Sequence, residues 1–476
     1  MGQIPAGLFY SMQESHPFSV HLLQLQSKIL ILTICAAGIG GTFQYGYNIS
    51  IINAPTSVST RFMNETWLER TGVPLESNVI LLLWSFTVSA YPLGGLTGAI
   101  AAGPMAIVLG RKTSLLLNNV FVIIAAVLSG FSRMAKSFEM VMLSRFFTGL
   151  NAGVSMNIQP MYLAESAPKK LRGRMLGSYH VVKCIVQVMY FFFSRELLGE
   201  ENSWPLLLAS NVVPALIQLV ALPWFPESPR YLLIDRGDKE SCISALQKLR
   251  GHCDLSAELE EMLAEQAATE GQRAKKPWEL FQNPAVRWQL MSIVVLSSAM
   301  QLCGNDSVSS VAATAISSSC IMRHGAMRLT YCRLVPVLIC VMLVLLVSIC
   351  SHVFNIISTV LISLPLLFPA GVTGVLPTEV FDQMSRPAAY MICGSLLWFN
   401  LFLVGTAFPF IVVAHFCYVP FFVVCICTAL YVGFFLPETK GKSFLEISEE
   451  FKKRNFKPQT RAFFYKGPEE IKSTVL

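Results

Sequence analysis

Glu and Arg residues recur at matched spacings in the two halves of this 476-residue sequence. In each half a Glu and an Arg stand seven residues apart and are followed, further along the chain, by Pro-Glu and a hydroxyl residue. The pairs are Glu165 with Arg172 and Glu379 with Arg386, and the later segments are 226–228 and 437–439. Opposite charges at matched places can form ion pairs in one state of a protein and separate in another. The repeat therefore predicts two structurally related halves that carry equivalent charges.

These charges, with a few neighbours, are predicted to form an inner gate that closes when the halves approach. The set is Arg111, Glu165, Arg172, Glu227, Arg230, Glu379, Arg386 and Glu438. The simpler interpretation is that these side chains fix loop ends and membrane topology. Acids and bases alternate at matched places in both halves, which favours the gate.

The composition indicates what kind of protein positions these residues. The sequence is 53% apolar and 14% charged, with a mean hydropathy of +0.55, whereas soluble domains average roughly 45–50% apolar and 25% charged. The net charge of +7 comes without a basic amphipathic face, so nucleic-acid binding is not expected. The 13 Cys show no metal-ligand spacing and no nucleophile–base pair stands out, so no metal, no cofactor and no enzyme activity are predicted.

Apolar runs of about 20 residues, long enough to cross a bilayer as a helix, divide the chain. They begin near residues 29, 79, 114, 140, 175 and 204, and again near 290, 334, 352, 388 and 416. The predicted organisation is a cytosolic tail (1–28), a transmembrane half (29–225), a helical cytosolic linker (226–289), a second, incomplete transmembrane half (290–436) and a cytosolic tail (437–476). This predicts an all-α polytopic membrane protein.

Basic residues give the orientation, because Lys and Arg are enriched in cytosolic loops. With the N-terminus in the cytosol, inner loops and tails hold 26 of the 36 Lys and Arg, and outer loops hold five. Both termini are therefore predicted to be cytosolic. The sequon at Asn64 then lies outside, where it can be glycosylated.

Several motifs together resemble the sugar porter family of the major facilitator superfamily. They are segments 110–112 (Gly-Arg-Lys), 145–149 (Arg-Phe-Phe-Thr-Gly), 162–168 (Tyr-Leu-Ala-Glu-Ser-Ala-Pro), 226–230 (Pro-Glu-Ser-Pro-Arg) and 437–441 (Pro-Glu-Thr-Lys-Gly). Segments 44–48, 301–307 and 369–374 resemble the facilitative hexose transporters, and the last two the fructose-type class. The resemblance implies a major facilitator fold of two six-helix halves, with hexose carried between them.

A neutral hexose needs uncharged amides and aromatic rings at the membrane midplane, because a stranded charge would be costly there. Asn48 and Gln301 suit this role. By resemblance, the substrate-binding residues are Tyr45, Asn48, Tyr190, Gln301, Asp306 and Trp398.

The sequence also departs from the family. Ile107 stands where the inner-loop motif normally has Asp, which removes one charge partner. The aromatic residues that usually follow Gln301 are Ser309, Ser310 and Val311 here, and Gly374 replaces the Trp of the glucose-selective class.

The second half is also short of one span. Residues 29 and 110 are separated by 81 positions, but the equivalent residues 290 and 325 are separated by only 35. Eleven spans cannot leave both termini inside, so either the seventh segment is re-entrant or the predicted side of the tail is wrong.

Three functions remain open. The first is facilitative uniport of fructose or glucose across the plasma membrane by alternating access. The second is an incomplete isoform that does not transport, and the third, less favoured, is proton–sugar symport, which needs an acid where this chain has Asn48. The C-terminus, with Thr474 and Leu476, can also fit a PDZ domain, although a disordered tail is the simpler expectation.

Overall fold

The computed structural model describes residues 28–52, 56–167, 203–250, 255–269, 273–302, 376–378 and 380–411, with a few positions between 423 and 451. Within these ranges every regular element is a helix.

The described part of the first half contains eight α-helices. They are α1 (Lys28–Gly38), α2 (Gln44–Ile51), α3 (Thr56–Thr71), α4 (Ser77–Val108), α5 (Arg111–Phe131), α6 (Phe138–Ser166), α7 (Trp204–Ala209) and α8 (Val212–Ala221). A π-helical turn, Ile39–Phe43, joins α1 to α2, and a 3-10 turn, Leu222–Trp224, extends α8.

The described part of the linker begins with a π-helical turn, Tyr231–Asp235. It continues with α9 (Lys239–Arg250), α10 (Ser256–Thr269), α11 (Pro277–Gln282) and a 3-10 turn (Pro284–Val286). The second half supplies α12 (Arg287–Leu302) and α13 (Arg386–Ile411).

Each described helix that corresponds to a predicted span begins within three residues of the predicted start. This agreement is expected if the apolar run determines where the helix begins. Four stretches within the described residues are long and apolar enough to cross a membrane: Ser77–Val108, Arg111–Phe131, Trp204–Trp224 and Arg386–Thr406. The predicted spans near 175, 334 and 352 lie outside the described residues, and only a few positions of the span near 416 are described.

Glycines allow α4 and α6 to pack backbone to backbone. A methyl group on Gly94 would lie 2.0 Å from the carbonyl oxygen of Phe146, and one on Gly149 would lie 2.0 Å from that of Tyr91. Such close approach stabilises helix pairs in a bilayer through van der Waals contacts. These contacts matter because lipid tails are apolar, so no hydrophobic effect drives the helices together. The first half is therefore built around a tight pair of long helices.

Helix α13 joins the two halves. It packs against α12, where Leu290, Ile293 and Leu296 meet Ala388, Ala389 and Ile392 in one apolar cluster. It also packs against α4, since Trp398 shares a second cluster with residues of α2, α4 and α6. The interface between the halves therefore runs along α13.

Candidate functional site

Trp398 occupies the centre of the interface between the halves. The side chain is fully buried and receives the rings of Tyr45 and Tyr91 edge-on, with centroids 5.5 Å and 5.4 Å away. Gly95 leaves room for the indole, because a methyl group there would lie 2.2 Å from the ring. The structure thus brings together Tyr45 and Trp398, two of the predicted binding residues, from opposite halves.

Gln301 lies on α12 at about the same depth as Trp398. Helices α12 and α13 run in the same direction, because Leu290 near the start of α12 packs in one cluster with Ala388 and Ala389 near the start of α13. Further along, the Ser297 Oγ lies 2.8 Å from the Cys393 Sγ. Gln301 lies four residues after Ser297, and Trp398 lies five residues after Cys393. At a rise of 1.5 Å per residue, the two side chains are therefore about 6 and 7.5 Å further along their helices than this contact.

The Gln301 amide is buried without a hydrogen bond. The residue is 1% exposed, and neither Oε1 nor Nε2 has a partner among the described residues. Gln44, beside Tyr45 on α2, is fully buried with both amide atoms unpaired in the same way. Buried polar atoms normally have partners, so these two amides are suited to bind a polar solute. Gln44 was not singled out from the sequence, although it opens the segment 44–48.

Asn48 belongs to a different cluster, within the first half. Its Oδ1 accepts from Asn211 Nδ2 at 2.7 Å, and its carbonyl oxygen and Oδ1 accept from Arg145 Nη1 at 3.3 and 3.5 Å. Arg145 also stacks on the Tyr91 ring at 4.6 Å. Tyr91 therefore contacts both Arg145 and Trp398, which places the Asn48 cluster directly behind the aromatic one.

The inner charge network is centred on Glu165, which is 1% exposed at its side chain. Arg111 from the same half lies 3.1 Å away (Nε to Oε2), and Arg386 from the second half lies 3.3 Å away (Nη1 to Oε1). Ser228 Oγ also donates to Glu165. One carboxylate therefore joins both halves and the start of the linker, as the gate hypothesis expects of a closed inner side.

Two members of this network were missed from the sequence. Asp235 Oδ2 lies 3.3 Å from Arg111 Nη2 and accepts from Gln383 Nε2 at 2.9 Å. Gln383 also donates to Glu165 (3.2 Å) and accepts from Arg386. Spacing could have suggested Gln383, three residues before Arg386, but Asp235 has no counterpart in the repeat.

Two other predicted gate residues have local roles in the structure. Glu227 accepts from the backbone N–H groups of Lys112 (2.9 Å) and Ser228 (2.9 Å), so it holds the start of α5. Burial raises the pKa of Glu227, and these two backbone donors oppose the rise. Arg230 pairs with Glu261 (3.7 Å) and Glu265 on α10, so these contacts tie the linker to itself.

Asn64 lies on α3, where its Oδ1 accepts from the backbone N–H of Leu75 at 2.9 Å. The remaining predicted residues lie outside the described residues: Tyr190, Asp306, Arg172, Glu379, Glu438, Thr474 and Leu476.

The family model described as "Sugar (and other) transporter" matches residues 32–356 and 307–451, which together span most of the chain. This chain belongs to the sugar transporter family. It is therefore a multi-pass membrane protein and not an enzyme, as the sequence predicted.

Named relatives agree with this membership. The chain is 52% identical to human solute carrier family 2, facilitated glucose transporter member 11, over 95% of this chain and 99% of that protein. It is 38% identical to human member 7 (95% and 94% covered) and 37% identical to sheep member 5 (91% and 94%). The predicted resemblance to facilitative hexose transporters is confirmed.

Solved structures support the fold. The proton:xylose symporter XylE bound to 6-bromo-6-deoxy-D-glucose matches with a TM-score of 0.74 at 20% identity, over 89% of this chain and 99% of that one. The inward-open form of XylE from E. coli matches with a TM-score of 0.62 at 20% identity, over 88% and 99%. The predicted major facilitator fold is confirmed.

Proposed function

We propose that this sugar transporter moves hexoses across the plasma membrane by facilitated uniport. The observation that carries the proposal is the Gln301 amide, buried with both polar atoms unpaired at the depth of Trp398. A hexose offers hydroxyls that can donate to Oε1 and accept from Nε2, and an apolar ring face that can lie against the indole. A buried polar atom without a hydrogen bond costs about 1–3 kcal/mol, and a water or sugar molecule bonded to this amide would remove that cost for each atom.

Alternating access needs contacts between the halves that can break. The Glu165–Arg386 pair and the Gln383–Glu165 bond cross from one half to the other at the inner side. Their rupture would open the site to the cytosol, whereas their formation closes it. No acid stands at Asn48, and the described part of α1 and α2 carries no acid at all, so a driving proton gradient is not needed in this scheme.

Fructose is the preferred cargo in this proposal, with glucose as the alternative. Leu397 and Leu401 flank Trp398 and pack in its cluster, so they place apolar groups on this side of the proposed site. The sequence features that resemble the fructose-type class point the same way. The relatives named above are called facilitated glucose transporters, and for this reason glucose is included as a second substrate in the test.

The test is uptake of labelled fructose and glucose in cells that lack their own hexose transporters, with surface abundance measured on the same cells. Uniport predicts saturable uptake that equilibrates with the medium and is unaffected by a protonophore. Concentrative uptake that collapses with the protonophore would instead favour symport. Normal surface abundance without uptake would refute transport.

A second candidate is an incomplete isoform that reaches the membrane but does not transport. Two observations favour it. The family model matches in two pieces that overlap over residues 307–356. The alignment with human member 11 covers 489 positions although 95% of this chain is only about 452 residues, so about 37 positions face no residue of this chain. A missing span of this length is consistent with the short repeat spacing.

The same proposal includes the placement of the chain. The two halves, 29–225 and 290–436, flank a cytosolic linker, and both tails lie in the cytosol with Asn64 outside. A PDZ contact through Thr474 and Leu476 is a minor part of this proposal. Protease protection of epitope tags at each terminus, in intact and permeabilised cells, tests the orientation.

A further inference from the structure

The inner loop between α4 and α5 lacks an acidic residue of its own. By resemblance to the sugar porters, an Asp is expected where this chain has Ile107. Yet Arg111, four residues later, is fully buried. A buried guanidinium needs a negative partner, because an uncompensated charge in the protein interior is strongly destabilising. The loop must therefore obtain negative charge from elsewhere in the chain.

Glu165 alone does not balance the site. It pairs with Arg111 (3.1 Å) and with Arg386 (3.3 Å), and both guanidinium groups are at most 1% exposed at the side chain. Two buried positive charges would then share one negative charge. Glu227 lies nearby and its charge also acts on Arg111, but its oxygens are held by the backbone N–H groups of Lys112 and Ser228 rather than by a guanidinium.

Asp235 supplies the second negative charge. It ends the π-helical turn Tyr231–Asp235, and its Oδ2 lies 3.3 Å from Arg111 Nη2. The side chain is 11% exposed. Burial raises its pKa, while Arg111 and the hydrogen bond from Gln383 act in the opposite direction. With Asp235 ionised, the groups in direct contact are balanced in charge: Arg111, Arg386, Glu165 and Asp235.

Tyr231, the first residue of the same turn, also contacts the inner loop between α4 and α5. The ring of Tyr231 lies under the Arg111 guanidinium, 4.5 Å from its centroid, and its hydroxyl donates to the carbonyl oxygen of Ile107 (3.3 Å). The first turn of the linker thus contacts the loop at Ile107 as well as Arg111.

Asp235 also reaches the second half. Gln383 Nε2 donates to Asp235 Oδ2 at 2.9 Å, and Gln383 is itself fully buried. An acid on the α4–α5 loop would be part of the first half, whereas Asp235 belongs to the linker and contacts both halves. Opening of the inner side must break its bond to Arg111, its bond to Gln383, or both.

We infer that Asp235 is a positioning residue of the inner gate that replaces the acid missing at Ile107, and that it makes gate closure depend on the first turn of the linker. This inference rests on the proposed function for the meaning of the gate. Its structural content, that Asp235 keeps the inner side closed, is testable without any transport.

The experiment measures how accessible the inner gate is from the cytosol. Ser385 is fully buried next to Arg386, so a Cys in its place reports on closure. The full chain carrying Ser385→Cys is prepared in inside-out vesicles and treated with a membrane-impermeant maleimide, and labelling at residue 385 is resolved by mass spectrometry. Adding Asp235→Asn should speed labelling about tenfold, the effect of losing one charge-assisted hydrogen bond.

Rescue distinguishes a gate role from a general loss of structure. Ile107→Asp added to Asp235→Asn should return labelling to the slow rate, because it restores the charge beside Arg111, and Asp235→Glu should stay slow. Glu240→Gln, which neutralises an exposed acid in the same linker, is the matched control and should leave labelling unchanged.

Labelling that stays slow in Asp235→Asn would overturn the inference, and so would fast labelling that Ile107→Asp does not slow. Neither result depends on uptake. A chain that labels as expected but moves no hexose would refute the proposed function and leave the role of Asp235 standing. Normal uptake with unchanged labelling in Asp235→Asn would support the proposed function and refute the role of Asp235.

Discussion

Replacement of Gln301 by Leu should have opposite effects on stability and on sugar binding. Leu has a similar size and no polar atoms, so it removes two buried atoms that lack partners among the described residues. Each unpaired atom costs about 1–3 kcal/mol, and therefore the sugar-free variant should be more stable than the native chain. A hexose that bonds to the amide should lose a comparable amount of binding energy.

The loss of affinity follows from the same numbers. Since 1.4 kcal/mol is a factor of ten, losing about 1–3 kcal/mol weakens hexose binding roughly five- to 150-fold. The assay pairs two measurements on purified protein in detergent. The first is thermal unfolding without sugar, and the second is the shift in unfolding temperature as fructose or glucose is titrated.

Gln289→Leu is the matched control for this prediction. Gln289 lies on the same helix, is 3% exposed and has an unpaired Oε1 among the described residues. It is 12 residues earlier, about 18 Å along the helix axis, and therefore outside the proposed site. Gln289→Leu should leave the response to sugar unchanged. The reasoning is refuted if Gln301→Leu lowers sugar-free stability while the titration with hexose stays as in the native chain.

Three further predictions concern other parts of the chain. Asn48→Asp should reduce uptake at equal surface abundance, because the carboxylate loses the Nδ2 group that donates to the Gln44 carbonyl oxygen (2.9 Å) and places a negative oxygen against it. Native uptake should ignore a protonophore, and sensitivity to it would contradict the uniport proposal. Glu165→Gln should lower the free energy of unfolding by about 3–5 kcal/mol, since Arg111 and Arg386 lose a buried partner. Arg230→Gln should cost less, because the acids that it leaves unpaired, Glu261 and Glu265, are 34% and 13% exposed at the side chain; equal losses in chemical denaturation would count against the network. Glycosidase should shift the surface-expressed protein, and Asn64→Asp should abolish the shift while keeping the acceptor for the Leu75 N–H; an unshifted native band would contradict the outward placement of α3.

The span positions were predictable because a spanning helix is encoded locally. Twenty apolar residues in a row are sufficient to specify a helix long enough for the bilayer, and so the starts of α4, α5 and α6 agreed with the apolar runs. The family motifs added the fold, and the comparisons confirmed it. Neither kind of information requires knowledge of which side chains meet.

The partners of the polar residues were harder to predict because they are distant in sequence. Asn48 accepts from Asn211, 163 positions away, and Asp235 reaches Gln383, 148 positions away. Arg230 sits in a motif that suggests a gate, yet it pairs with acids of α10. A motif specifies which residue types are present, but the packing of α10 against the linker turn decides which acid is in reach.

The pattern of unpaired amides separates structural polar residues from those that can serve a solute. Among the buried amide side chains that the structure describes, Asn118, Asn119, Asn151 and Gln218 each hydrogen-bond to a neighbouring helix or to their own backbone. Gln44 and Gln301 differ, because both atoms of each amide are unpaired. One lies in each half, and they stand beside Tyr45 and level with Trp398, the two rings that meet across the interface. A solute held there would contact both halves at once, so its binding energy would be available to bias the movement of one half against the other.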